Sequence, residues 1–364
     1  MIGIIYIQEI NNCPFLSKYT DILDKLDEPY KVIYWNRNIN KSIINVIRTK
    51  KHIEYQKYQN LLNPRWEKLF GFLRFKLFLN KEIRDCDKLI LLTTMSSILV
   101  VDKLCRYKKN YIFDFRDPSL ERNMIFKMIL KYIIKFSRFT CISSPAFTEI
   151  LPKNEYCISN NFRYEDIEIS KREKFTFTKR NEGRINLVYF GAVREYEHIC
   201  KQIELFAKDE RFDVYYYGDG DSYSRVKSYA DEKKYSNIHV MGRYCNDEKF
   251  EFLNDTDIIN NHYPGDKDYP LCVSNKYYDS IIYKRPLLSN IGGIDAKNAD
   301  SAGIGIALSL EDKQDLDTLY HWYQSLTENE FLENCKKELN RVLVEDKQYL
   351  YQIESFANES IQNS

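Results

Sequence analysis

The chain has 364 residues, 44% of them hydrophobic and 29% charged, with a net charge of only +1. That composition is globular and holds no low-complexity tract, and the length exceeds one ordinary core, so two domains are expected. The charge is uneven: residues 1–170 hold 28 Lys/Arg against 19 Asp/Glu and the remainder 26 against 34, so only the first half is expected to meet an anionic partner.

Short β-rich runs alternate with helical patterns, as in α/β folds with parallel sheets. In the first half the predicted strands are 2–7, 31–35, 88–92, 111–115 and 139–143, with helices at 16–27 and 119–137 among others. The longest apolar run, LILLTTMSSILVV (89–101), is too short for a membrane span and reads as a buried strand entering a helix. The segment 168–184 is charged and lacks helical periodicity, which predicts a linker. A second series follows: strands 185–191, 213–218, 238–242, 257–261 and 286–290, helices 195–208 and 246–254, and further helices to the end. Two Rossmann-like domains in tandem, with a cleft between them, is the simplest arrangement.

Several classes are set aside on composition. Twenty-nine tyrosines beside abundant Ile, Lys and Asn reflect an AT-rich genome rather than a stacking surface for nucleic acid. The nine cysteines form no CxxC pair, so reduced thiols in a cytoplasmic protein are expected, not disulfides or zinc. The start, MIGIIYIQEI, lacks the features of a signal peptide.

Four local patterns carry chemistry. In FGAVREYEH (190–198) a strand ends at Gly191 just before a helix, where a phosphate suits both the bare glycine and the helix N-terminus. Arg194 would add a charge-assisted contact; the alternative is a plain βα turn with a surface arginine. The pattern is not GxGxxG, so a nicotinamide or flavin site is not supported. YYYGDGDS (215–222) reads as a turn, and the five histidines show no ligand spacing, so no metal is expected. In SNKYYDSIIYKRP (274–286) Ser274 or Asn275 is the N-cap and Asp279 suits the helix dipole. Lys276 does not: a cation in a helix's first turn is disfavoured unless an anion binds nearby. In FDFRDPS (113–119) Asp114, Arg116 and Asp117 stand at the carboxyl end of a strand, as functional groups or as a structural salt bridge.

Two further stretches, 64–84 and 122–138, mix aromatic and aliphatic residues with Lys and Arg. Either is an interfacial membrane helix or a buried helix with snorkelling lysines.

The ordered set YFGAVR, YYYGDGD, NIHVMGRY, LNDTDIIN and SNKYYDSIIYKRPLLSN, over about 183–290, resembles the C-terminal domain of GT-B glycosyltransferases. It is most similar to the family-4 enzymes of bacterial capsule, exopolysaccharide and lipopolysaccharide assembly. The first half matches more loosely, through DKLILLT, YIFDFRDP and CISSPAFTEIL. The resemblance implies an acceptor-binding domain at 1–170, a nucleotide-sugar domain at 171–345 and a helix at 346–364 returning to the first. It places Gly191 and Arg194 at the donor diphosphate and Tyr244 at the base. It puts Asp279 on the second glutamate of an E-x7-E motif that binds ribose, with Asn275 and Lys276 as the NK variant near the phosphates. The first glutamate is missing, since Leu271 occupies its place, and the N-terminal glycine-rich loop is replaced by EINNCPF (9–15).

What this implies is a hexosyltransferase using a nucleoside-diphosphate sugar, UDP-linked, without cofactor or metal. It would act with retention on a polyprenyl-diphosphate-linked glycan, as a peripheral protein at the inner face of the cell membrane. Asp117 and Arg116 would orient the acceptor, with Asp117 the base if the reaction inverts. A nucleotide-sugar epimerase on the same fold, and a non-catalytic sugar-nucleotide-binding scaffold of a capsule complex, remain alternatives.

Overall fold

The computed structural model describes residues 1–37, 44–59, 63–118, 123–180, 182–245, 248–264 and 269–359. They fall into two compact units: Met1–Asn160 together with the chain from Val344, and Asn161–Leu343.

Unit one contains β1 (Ile2–Tyr6), α1 (Ser17–Lys25), β2 (Tyr30–Asn36), β3 (Asn45–Arg48), β4 (His52–Gln56), α2 (Arg65–Glu82), β5 (Lys88–Leu92), α3 (Thr94–Leu99), β6 (Tyr111–Phe115), α4 (Met124–Phe136), β7 (Phe139–Ile142) and β8 (Cys157–Ile158). The sheet order is β3-β4-β2-β1-β5-β6-β7-β8, parallel except for β3 against β4. Strands β1, β2, β5 and β6 are buried along their whole length, which is why they read as unbroken apolar runs. The three strands that pattern does not reveal, β3, β4 and β8, lie at or next to the two margins of the sheet, and β3 is mostly exposed. Right-handed crossovers put α1 on one face, since β1 to β2 runs one way across the sheet, and α2, α3 and α4 together on the other.

Unit two contains α5 (Tyr164–Arg172), β9 (Ile185–Phe190), α6 (Tyr196–Phe206), β10 (Phe212–Tyr217), α7 (Tyr223–Lys233), β11 (Ile238–Gly242), α8 (Lys249–Asn254), β12 (Ile258–Asn261), α9 (Asn275–Tyr283), β13 (Leu287–Asn290), α10 (Ile294–Ala302), β14 (Gly305–Leu308) and α11 (Lys313–Ser325). Its six strands are all parallel, in the order β11-β10-β9-β12-β13-β14.

The final helix, α12 (Glu328–Asn358), supplies both units: Phe331 and Cys335 pack in the core of unit two, Tyr349, Ile353 and Phe356 in that of unit one. Its C-terminal end is held by Lys88, whose Nζ donates to the carbonyls of Phe356 (2.6 Å) and Ala357 (2.9 Å), a cation where the helix dipole is negative.

The predicted linker at 168–184 is a correction. Its first part is the end of α5, and Phe175 and Phe177 beyond it are buried in the core of unit two. A nine-residue helix is too short to show periodicity above its charges. The predicted helices at 119–137 and 246–254 begin within segments outside the described residues and continue as α4 and α8.

Candidate functional site

In unit two the strand order reverses beside β9: the chain lays down β9, β10 and β11 in one direction, then returns to the other side of β9 for β12. At such a switch point the carboxyl ends of the two strands leave a crevice that open α/β sheets use for ligands.

Gly191 follows β9 with φ +124°, a conformation side chains rarely take. Its loop is clamped by the turn after β10. Gly218 passes so close that an added Cβ would stand 1.8 Å from the Gly191 carbonyl oxygen. Val193 N donates to Asp219 O (3.0 Å), and Ser222 Oγ donates to Arg194 O (2.6 Å). The GDGD segment is thus the buttress of the loop after β9. Beyond it α6 starts without a side-chain cap from its N-cap position among the described residues. The Arg194 side chain is exposed and makes no hydrogen bond among the described residues, so its guanidinium is available.

Across the switch point α9 begins with Ser274, whose Oγ accepts from Tyr277 N (3.2 Å). Lys276, one residue into the helix, is only 3% exposed. Its ammonium lies against the ring faces of Tyr189 (4.1 Å), Tyr263 (4.7 Å) and Phe190 (5.5 Å) and donates to the Tyr263 hydroxyl. A Cβ on Gly191 would be 4.0 Å from Lys276 Nζ. No carboxylate is within ion-pair distance of it among the described residues. Burial lowers the Lys276 pKa, opposed by the fields of Tyr189, Asp279 and Asp295. Cation–π contact offsets part of that desolvation, on the order of 2 kcal/mol for a desolvated pair. The remainder is what an arriving anion would relieve.

Asp279 stands on the next turn of α9. Its Oδ1 accepts from Lys249 Nζ (2.7 Å), and the same ammonium is 3.1 Å from Asp166 Oδ1. Burial raises the Asp279 pKa and Lys249 opposes the rise. Oδ2 makes no hydrogen bond among the described residues, so one carboxylate oxygen stays uncommitted. Tyr244, half-buried and edge-on to Phe252 at 5.2 Å, has its hydroxyl pushed up to about 12 by burial and then by the Asp279 charge. Asn275 is exposed, and its Oδ1 accepts from Asn161 Nδ2 (2.7 Å).

Four members of this cluster were not legible in the sequence: Tyr263, Lys249, Asp166 and Asp295. Asp295 is buried and receives Ser274 N (3.2 Å) and Asn261 Nδ2 (2.7 Å), so it fixes the start of α9 to the end of β12. Leu271, where the resembling family has an acid, is half-buried in a short 3-10 turn just ahead of α9. Only Lys249 left a trace: it falls on the apolar side of a short helix, among Phe252 and Leu253.

In unit one the switch point lies between β1 and β5. Thr93, just after β5, has φ +79° with an extended ψ, a strained conformation for a β-branched residue. At the end of β6, Arg116 turns inward. Its Nε is 2.8 Å from Asp114 Oδ1 and its NH2 donates to Asp114 Oδ2 (2.8 Å) and Ser159 Oγ (2.6 Å). The guanidinium also lies 4.0 Å over the ring of Phe15. Of the two readings open for this motif, Asp114 and Arg116 form the structural ion pair. Asp117 beside them is exposed. Even so, the surrounding protein desolvates its carboxyl and raises its pKa, opposed by Arg116 and reinforced by Asp114.

No family model and no curated protein matches this sequence. Solved structures do. The α,α-trehalose-phosphate synthase (UDP-forming) from Burkholderia vietnamiensis matches with a TM-score of 0.67 at 10% identity, over 98% of this chain and 100% of its own. Sucrose-phosphate synthase from Thermosynechococcus elongatus matches with 0.66 at 10% identity, over 98% and 100%. Anabaena HepE in complex with UDP and glucose matches with 0.64 at 9% identity, over 97% and 99%. The fold is GT-B. At these identities the likeness is one of fold. Within this GT-B chain the two switch points carry different chemistry: a caged cation and a free arginine in unit two, an open acid and a strained turn in unit one.

Proposed function

We propose that the protein is a glycosyltransferase that takes a UDP-linked hexose as donor. The observation that carries this reading is Lys276: a buried ammonium without an acid partner among the described residues, set against the bare backbone of Gly191. A diphosphate there would meet Lys276, the Arg194 guanidinium and the uncapped start of α6. When the sugar leaves, negative charge builds on that diphosphate; Lys276, caged and already in place, stabilises it without reorganising, and the exposed Arg194 adds a second charge. In this reading the two side chains carry the charge without a divalent metal. Asp279, with Oδ2 uncommitted, is assigned to the ribose hydroxyls, Tyr244 to the base, and Asn275 to the rim of the phosphate site. Support comes from the neighbours: HepE was solved with UDP and glucose, and the Burkholderia enzyme is UDP-forming.

The acceptor is proposed to be a lipid-linked glycan of surface polysaccharide assembly, with the protein peripheral at the inner membrane face and the sugar transferred with retention. The resemblance in sequence and the basic first half support this. No described helix is long and apolar enough to cross a membrane. Asp117 is proposed to orient the acceptor hydroxyl, or to take its proton if the reaction inverts. Arg116 is proposed to hold the Asp117 turn through its pairing with Asp114.

The test is incubation with a panel of nucleotide sugars, with and without a lipid-linked acceptor and without divalent metal. Release of nucleoside diphosphate is the expected result. Isomerised donor would select an epimerase, and tight donor binding without turnover a scaffold; either would overturn the transferase reading.

A further inference from the structure

Helix α4 carries a row of cations that its own stability does not call for. Lys127, Lys131 and Lys135 recur every four residues and so share one stripe, where like charges oppose the helix. Neither they nor Lys153 make an ion pair among the described residues. Beside the stripe Met124, Ile125 and Met128 are 79%, 69% and 71% exposed. Single exposed apolar residues are ordinary, but three on two turns form a patch.

The segment 151–154 closes one side of this stripe into a groove of about 750 Å³. Met128, Ile134, Leu151 and Pro152 supply apolar wall, and the four lysines supply charge; no acidic residue is among the described residues lining it. A ligand that fits is apolar along its length and anionic at one end. Helix α2 lies on the same face of the sheet and exposes Trp66, Leu69, Phe70, Leu73 and Leu77. Such a face suits a continuous apolar medium with anionic headgroups better than a small soluble anion.

We propose that the groove between α4 and residues 151–154 is a binding site for an anionic phospholipid of a bilayer surface. An acyl chain lies along Met128, Leu151 and Pro152, and the phosphate meets Lys127, Lys131, Lys135 and Lys153. This rests on the membrane-facing part of the proposed function and names the residues and the lipid class.

The test is sedimentation of the full chain with vesicles of phosphatidylcholine, alone or mixed with phosphatidylglycerol, with UDP binding measured on the same preparations. The wild type is expected to bind only the mixed vesicles, and less at high salt. Each alanine at Lys131 and Lys135 is expected to lower the partition coefficient about fivefold, and Met124→Ser with Met128→Ser to lower it further. All four positions are exposed, so folding and UDP binding should be unchanged. Mixed-vesicle binding by the wild type that persists in these variants would overturn the groove and leave the membrane reading standing. Absence of binding to any vesicle, with UDP still bound, would overturn both and leave the donor site untouched.

Discussion

Replacing Lys276 by Met keeps most of the side chain's volume and removes its charge. Lys276 is 3% exposed, and its ammonium is enclosed by Tyr189, Tyr263 and Phe190, with no carboxylate in ion-pair range among the described residues. For the folded chain without ligand, losing a desolvated charge is neutral or stabilising, so the melting temperature should hold or rise. For a bound diphosphate the same change deletes a charge-assisted hydrogen bond in a dry site, worth about 1.5–3 kcal/mol, or roughly ten- to hundredfold in Kd. Calorimetric titration with UDP beside thermal unfolding reads both quantities. Proton linkage gives an independent check. Burial lowers the Lys276 pKa in the free protein, and an anion would raise it again. UDP binding should then take up protons at any pH between the two values, visible as a dependence of binding heat on buffer ionisation and absent in Lys276→Met. The unfolded chain holds the proton up to the ordinary lysine value of about 10. Stability of the free protein should therefore rise with pH from the lowered pKa to that point. An unchanged Kd for UDP, or a loss of affinity matched by an equal loss of stability, would refute the reasoning.

Other consequences follow from the same residues. Lys249→Met strands the buried charges of Asp279 and Asp166, and urea unfolding should show a loss of about 3–5 kcal/mol; adding Asp279→Asn should restore part of it. Gly218→Ala puts a methyl where the Gly191 carbonyl stands, at a residue with φ +138°. It should weaken UDP binding more than Lys276→Met does, because the whole loop after β9 must move. His262, buried against His198 and Leu308, has its pKa lowered to about 4 by burial and then by His198. As pH falls below the ordinary value of about 6.5 the unfolded chain takes up a proton that the folded one refuses until about 4. On the order of 3 kcal/mol of stability should be lost across that interval. A flatter acid limb in His262→Gln, followed by urea midpoints against pH, checks this.

The sequence by itself determined the strands that are buried on both faces. Runs such as KLILL (88–92) and YIFDF (111–115) can only be interior to a parallel sheet, and β5 and β6 cover those residues. It also marked Lys276, because a cation at a helix start contradicts the dipole within four residues of chain, a range that local pattern covers. The margin strands β3 and β4 escaped because a sheet edge imposes no apolar rule, and NVIR holds only two apolar residues, between Asn45 and Arg48. Only the tertiary structure decided what surrounds the lysine. Tyr189 and Tyr263 come from strand ends 74 residues apart in the chain, made neighbours by the reversal of strand order at β9 and β12. The pairing of Asp279 with Lys249 and Asp166 has the same origin, as does the turn of Arg116 inward to Asp114 and Ser159 while Asp117 stays outside. Hydrophobic periodicity records which side of an element is buried. It does not record which polar groups from distant elements meet there, and at a switch point those meetings are what make the site.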